Sequence, residues 1–128
     1  MMDAGDGRIG VRFGAAEDAR PEDALLIEGE APVAGIAPRD GDAPADRPAI
    51  ARFTLPIRVP THPPGCTCCV PRGPVAEALG RLFLARARGD LPWFRSVVAV
   101  TRSTAGAEAV RAALTGDVVT TARFRQDP

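Results

Sequence analysis

The chain contains no lysine: all 16 of its basic residues are arginine, balanced by 16 acids. Without lysine there is no GxxxxGK[ST] loop, in which a lysine ammonium stands beside phosphates cradled by successive backbone amides. Histidine occurs once, as His62, and asparagine is missing. A Cys-His nucleophile pair would therefore lack a third residue to orient it. Aromatic residues make up 5% of the chain, too few to supply the stacking platforms of a nucleic-acid binder, so no nucleic-acid partner is expected. No apolar run approaches the roughly 20 residues of a membrane span, and Met1-Met2-Asp3-Ala4-Gly5-Asp6 has no charged-then-apolar signal pattern. The expectation is a cytoplasmic protein with no membrane partner. Three cysteines, an odd number packed together, cannot build a disulfide framework and agree with a reducing compartment.

What is present fits one domain. The chain has 128 residues, enough for a modest core, and 45% of them are hydrophobic. Glycine and proline number 13 each, which suggests that part of the chain folds and part is loop-rich. The zero net charge hides an asymmetry. Residues 1–49 hold 11 acids and 5 arginines, residues 50–128 hold 5 acids and 11 arginines, and two solvated surfaces that neutralise one another account for it. We divide the chain into an acidic, loop-rich segment, 1–48, with one short strand near 8–13, and an α/β region, 49–128.

The most specific feature is Gly65-Cys66-Thr67-Cys68-Cys69, where every cysteine of the chain falls within four residues. Thiolates crowded this closely bind a soft or borderline metal or await oxidation, and packing seldom needs them adjacent. Three cysteines suit an open zinc site with an exchangeable fourth position. His62 lies four residues before Cys66 and is a candidate fourth ligand, although Pro63 and Pro64 restrict its return and an exposed loop residue is the simpler reading.

Around that cluster the pattern alternates strand and helix. Ile9, Val11 and Phe13 share one side of a short strand over 8–13. Ala24-Leu25-Leu26-Ile27 is too short an apolar run to assign between strand and helix. Ile50 to Val59 alternates Phe53, Leu55, Ile57 and Val59 against Arg52, Thr54, Pro56 and Arg58, and Pro56 argues for an edge strand or a break. Pro74 opens a helix to about Arg88, with Val75, Leu79, Leu82 and Phe83 as its buried face and Gly89 as its stop. Val97 to Val100 is apolar without alternation, as in an interior strand of a parallel sheet. A helix over Ala105–Leu114 follows, and Asp117–Arg125 adds a turn or a strand. Trp93-Phe94 is expected to pack helix onto sheet, and Ser and Thr at 101–104 read as ordinary helix N-caps. Arg86, Arg88, Arg95, Arg102 and Arg111 read as water-facing.

Taken together, Gly65-Cys66-Thr67-Cys68-Cys69, a Pro-Arg-Gly, the helix ending Ala85-Arg86-Ala87-Arg88-Gly89-Asp90-Leu91-Pro92 and the strand Val97–Val100 resemble the CobW family. Its members are P-loop GTPases linked to metal insertion, cobalamin biosynthesis included, and their Gly-Cys-x-Cys-Cys motif holds zinc or cobalt. The resemblance spans about Pro60 to Arg125. Arg8-Ile9-Gly10-Val11 followed by Ala24-Leu25-Leu26 looks like the family's second strand and the segment after its phosphate loop, so the chain starts late. It implies a partial P-loop-NTPase-like α/β layer, a small mostly parallel sheet with two or three helices that lacks its central strand and exposes an apolar seam.

The chain departs from the family where nucleotide would bind. The phosphate loop is missing. The family's Glu-Thr-Thr-Gly reads Val100-Thr101-Arg102-Ser103, with Thr101 a remnant at best, and the chain ends at Pro128 before an Asn-Lys-x-Asp segment. We therefore expect no catalytic residues and no bound GTP or magnesium, with Zn(II), or Co(II), on Cys66, Cys68 and Cys69. The first expectation is a degenerate CobW-like domain in metal handling. The alternative is a regulatory module that pairs with an intact CobW-like GTPase through the edge strand from Ile50, and a further one is an active GTP-binding metallochaperone. Partners would be such a GTPase, a metal-client protein or further copies of the chain.

Overall fold

A computed structural model describes residues 7–31, 49–55 and 73–127. They form an α/β layer around a five-stranded sheet in which every pairing is parallel. The elements are β1 (Ile9–Phe13), β2 (Asp23–Glu28), β3 (Ile50–Phe53), α1 (Pro74–Arg88), β4 (Ser96–Val100), α2 (Thr104–Gly116), α3 (Val118–Arg123) and β5 (Phe124–Gln126), with a short 3-10 turn at Ala16–Asp18. The strands lie in the order β3-β2-β4-β1-β5.

Burial on both faces explains which apolar runs became strands. In β2, Ala24 and Leu26 join the large core cluster while Leu25 and Ile27 join a smaller one on the opposite face, and all four are essentially inaccessible. Neither face can be polar, so the run shows no period, and its ambiguity between strand and helix is resolved by position in the sheet. β4 repeats the arrangement, with Val97 and Ala99 on one face and Val98 on the other. It is paired on both sides, to β2 in the register Leu25↔Val98 and to β1 in the register Val11↔Val97. The expected gap at a central strand therefore does not occur: β4 fills that position, and its neighbours cover both of its edges.

Helices α1 and α2 pack on the first face, and α3 lies against both of them. Val75, Leu79 and Leu82 of α1 and Val110, Ala113 and Leu114 of α2 share one cluster with Ile9, Val11, Leu26, Val97 and Phe124. Each fully buried Leu or Val there contributes about 1.5–3 kcal/mol relative to exposure. Gly73 caps α1, Pro74 occupies its first turn, and Gly89, at φ 79°, ends it. The Gly89 amide donates to Arg86 O at 3.2 Å and the Asp90 amide to Ala85 O at 2.9 Å, a double closure that needs a left-handed residue between. Asp117 separates α2 from α3 and caps the latter, accepting from the Thr120 amide at 2.9 Å and the Thr120 hydroxyl at 2.7 Å. The segment Asp117–Arg125, read as turn or strand, is both: a six-residue helix and the start of an edge strand.

The opposite face is covered differently. The connection from β1 to β2, residues 14–22, crosses β4 there, and Ala16 and Ala19 pack on Leu25, Ile27 and Val98. Sheet order accounts for the change of side. The links from β3 to β4 and from β4 to β5 run towards β5, whereas the link from β1 to β2 runs towards β3, so a common right-handed crossover puts them on opposite faces. No helix among the described residues is long and apolar enough to cross a membrane.

Candidate functional site

Open parallel sheets bind ligands in the crevice beyond the carboxyl ends of strands whose connections leave to opposite faces. Here that point lies around the end of β4, between β1 and β2. Gly14 closes β1 there, its amide donating to Ala99 O at 3.2 Å. Val100-Thr101-Arg102-Ser103 leads from β4 into α2, and Glu28 ends β2.

Glu28 occupies the head of α2. Its Oε1 accepts from the amides of Arg102 at 2.6 Å and Ser103 at 3.0 Å, and its Oε2 accepts from the Ser103 hydroxyl at 2.7 Å. The same hydroxyl accepts from the Gly106 amide at 2.9 Å, as the N-cap of α2. The Ser103 and Gly106 amides are among the donors a helix leaves unpaired at its start, the Arg102 amide lies one residue before the cap, and the end of the helix carries partial positive charge that favours an anion. A Cβ placed on Gly106 would lie 2.0 Å from Glu28 Oε1, so a residue without a side chain is what lets the carboxylate in. Burial pushes the Glu28 pKa up, but the hydrogen bonds from Ser103 and from the Arg102 and Ser103 amides outweigh it, and the net shift is downward. The position where a helix terminus would receive a phosphate is thus filled by the chain's own carboxylate. Thr101 directly precedes the two amides that hold it.

The same corner includes the end of β3. Glu28 stands opposite Phe53 in the β2–β3 register, and the Gly29 amide donates to Phe53 O at 2.7 Å. Phe53 ends β3, and the connection that follows re-enters the described fold at Gly73, the cap of α1. Both ends of that connection therefore lie on the carboxyl edge of the sheet. Cys66, Cys68, Cys69 and His62 fall within it, outside the described residues, as does the Pro56–Val59 half of the strand expected from Ile50 to Val59. Among the described residues no three His, Cys, Asp or Glu side chains come together as a metal-ligand group.

β3 is the edge strand the sequence suggested. Its outer side is partly covered by Arg81, whose guanidinium nitrogen donates to Arg52 O at 3.1 Å, while the Arg52 side chain reaches the segment after β2, donating to Gly29 O at 2.8 Å and Ala31 O at 3.0 Å. A groove of about 540 Å³ beside it is lined by Ile50, Arg52, Arg81, Leu82 and Leu91 among others.

A second polar cluster sits at the opposite end of β2. Asp23, 5% exposed, is bonded to an Arg12 guanidinium nitrogen at 2.6 Å, to the Arg20 amide at 2.9 Å and to the Ser96 hydroxyl. Burial raises its pKa, while Arg12, Ser96 and the Arg20 amide together bring it below the ordinary value. The cluster joins the starts of β2 and β4 to the side chain of β1 and the end of the crossover loop. Sequence reading missed both carboxylates. The one signal for Glu28 was an acid ending an apolar run, which has meaning only once α2 is known to start beside it.

Two expectations about aromatics and arginines change. Phe94 is buried as a helix-to-sheet contact, but Trp93 is 65% exposed and lies under Arg86, whose Cζ is 3.6 Å from the ring centroid. Burial lowers the Arg86 pKa. Arg111 lies over Phe13 at 4.8 Å yet stays exposed, as do Arg88, Arg95 and Arg102, so of the five arginines read as water-facing only Arg86 is half-buried. No protein-family model, no curated protein and no solved structure matches the chain.

Proposed function

We propose that the chain is a metal-binding, CobW-like domain that takes part in metal handling and has no GTPase activity of its own. The observation that carries the proposal is Cys66, Cys68 and Cys69 within four residues of the sequence. As thiolates the three supply soft ligands at about 2.3 Å from zinc and leave one position for water, His62 or a donor from a client protein. Zn(II) suits the set, and Co(II) is the second candidate. The likeness of residues 60–125 to the CobW family gives the metal its context, delivery to a client or to an intact GTPase.

The lack of nucleotide chemistry rests on two supports. Lysine is missing from the sequence, and the helix terminus at the strand switch point already holds the carboxylate of Glu28. Metal analysis of protein purified without chelator tests the reading: about one zinc or cobalt per chain, lost in Cys66→Ser and in Cys68→Ser, is the expected result. Protein with all thiols reduced that stays metal-free when zinc is added would overturn it. Nucleotide titration checks the other half, and sub-millimolar GTP binding by the isolated chain would contradict the absence of a nucleotide site.

A further inference from the structure

Glu28 is the last residue of its strand, yet it makes contacts across to the entry of a helix that begins 76 positions later, at Thr104. Two of its contacts are backbone amides and the third is the capping hydroxyl, so the carboxylate rather than a cationic side chain is what α2 is docked upon. Gly106 gives it room, and Gly29, next in the chain, ties the same corner to Phe53. We propose that Glu28 is a proton-released latch on the carboxyl edge of the sheet, closing the first turn of α2 onto the end of β2 when ionised and freeing that turn when neutral.

The geometry specifies how release works. The ionised group accepts through both oxygens, three hydrogen bonds in all, and charge-assisted bonds to amides are about twice as strong as neutral ones. Protonation places a hydrogen on one oxygen, which can no longer accept from its donor in the same way. The charge that complements the positive end of the helix disappears at the same moment. The charged groups around the latch are Arg102 on the lead-in to α2, Arg52 on β3, which is engaged with Gly29 O and Ala31 O, and Glu30, exposed two residues on. Of these, Arg102 acts on Glu28 by charge, in the direction that keeps it ionised. Release therefore occurs on the acid side of the ordinary glutamate range. The latch is independent of the cysteines, and its test needs no metal.

Hydrogen exchange and carboxyl carbon shifts measured by NMR on the full chain read the latch directly. Protection of the Arg102, Ser103 and Gly106 amides should fall about tenfold or more between pH 6 and pH 3, the range expected for losing a charge-assisted bond. Amides at the centre of β4 should keep theirs. In Glu28→Gln, an isosteric change that retains an acceptor, the three amides should be weakly protected at pH 6 and show no step on acidification. The wild-type chain supplies a reading that needs no variant: the Glu28 carboxyl resonance should titrate with the same midpoint as the Arg102 and Ser103 amide shifts. A flat profile in the folded wild-type protein, an unchanged step in Glu28→Gln, or amide shifts that follow a different midpoint would each overturn the proposal.

Discussion

β2 begins and ends in a carboxylate, and the two are held by different physics. Asp23 is bonded to a guanidinium, a hydroxyl and one amide, with its side chain 2% exposed and that of Arg12 29% exposed. Glu28 has no cation bonded to it and relies on the two amides and the capping hydroxyl at the head of α2. Both pKa values are depressed against the pull of burial. The contrast teaches that a short parallel strand can be fixed at one end by an ion pair and at the other by a helix terminus. The first binds a loop to the sheet, the second binds a helix to it, and the two should fail in different ways.

Arg12→Ala gives the largest expected effect. It leaves Asp23 with a charge and two neutral partners in a nearly closed site, and removing one member of such a pair costs several kcal/mol when fully buried. Because Arg12 retains some access to water, about 2–3 kcal/mol is expected in urea unfolding. A loss below about 0.5 kcal/mol would place Asp23 with ordinary surface pairs and erase the contrast.

Glu28→Gln comes next, at about 1–2 kcal/mol near pH 7. Its folded pKa lies below the ordinary value of 4.5, so the stabilisation is fully present above that value and is lost as the pH falls through the lowered one. Unfolding curves of wild type and variant should therefore diverge at neutral pH and converge towards pH 3. The pair at Asp23 has the same sign, so acid destabilises both ends, and only the Glu28 part is missing from the variant. Parallel curves across the whole range would show that Glu28 contributes by shape alone.

The smallest effect sharpens the reading most. Gly106→Ala adds helix propensity worth up to about 1 kcal/mol, but its Cβ would overlap the flexible end of Glu28. The two nearly cancel, giving a net change within about 0.5 kcal/mol in the wild-type background. In a Glu28→Ala background the clash is gone and the same substitution should stabilise. A double-mutant cycle measured by chemical unfolding gives the coupling, and a coupling of zero would contradict the cradle.

Legibility in the sequence followed the range of the interactions. α1 was readable from end to end, because Pro74, the spacing of Val75, Leu79 and Leu82, and Gly89 are local signals. β4 was readable because a strand buried on both faces loses its period. Of the Ser and Thr residues at 101–104 read as helix caps, Ser103 is the one that caps α2. What escaped was long-range: that Glu28 meets Arg102 and Ser103, that Arg12 meets Asp23, and that Trp93 stays outside under Arg86. None of these pairings is written in spacing, since each joins residues by the order of strands. The cysteines are the reverse case, plain in the sequence and outside the described residues.

The crossing of β1 over β4 also bears on the order in which the chain assembles. Val11 pairs with Val97, 86 residues further on, and Ile9 with Phe124, 115 further on, whereas β2 lies within about thirty residues of β3. Closing such loops costs entropy before contact repays it, and chains rich in distant pairings fold slowly. The second strand has a partner early; the first has none until β4 has emerged from the ribosome. β1 is therefore the keystone of the sheet: its pairings to β4 and to β5 both join residues at least 86 positions apart, and its apolar residues have no strand to pair with until those segments are present.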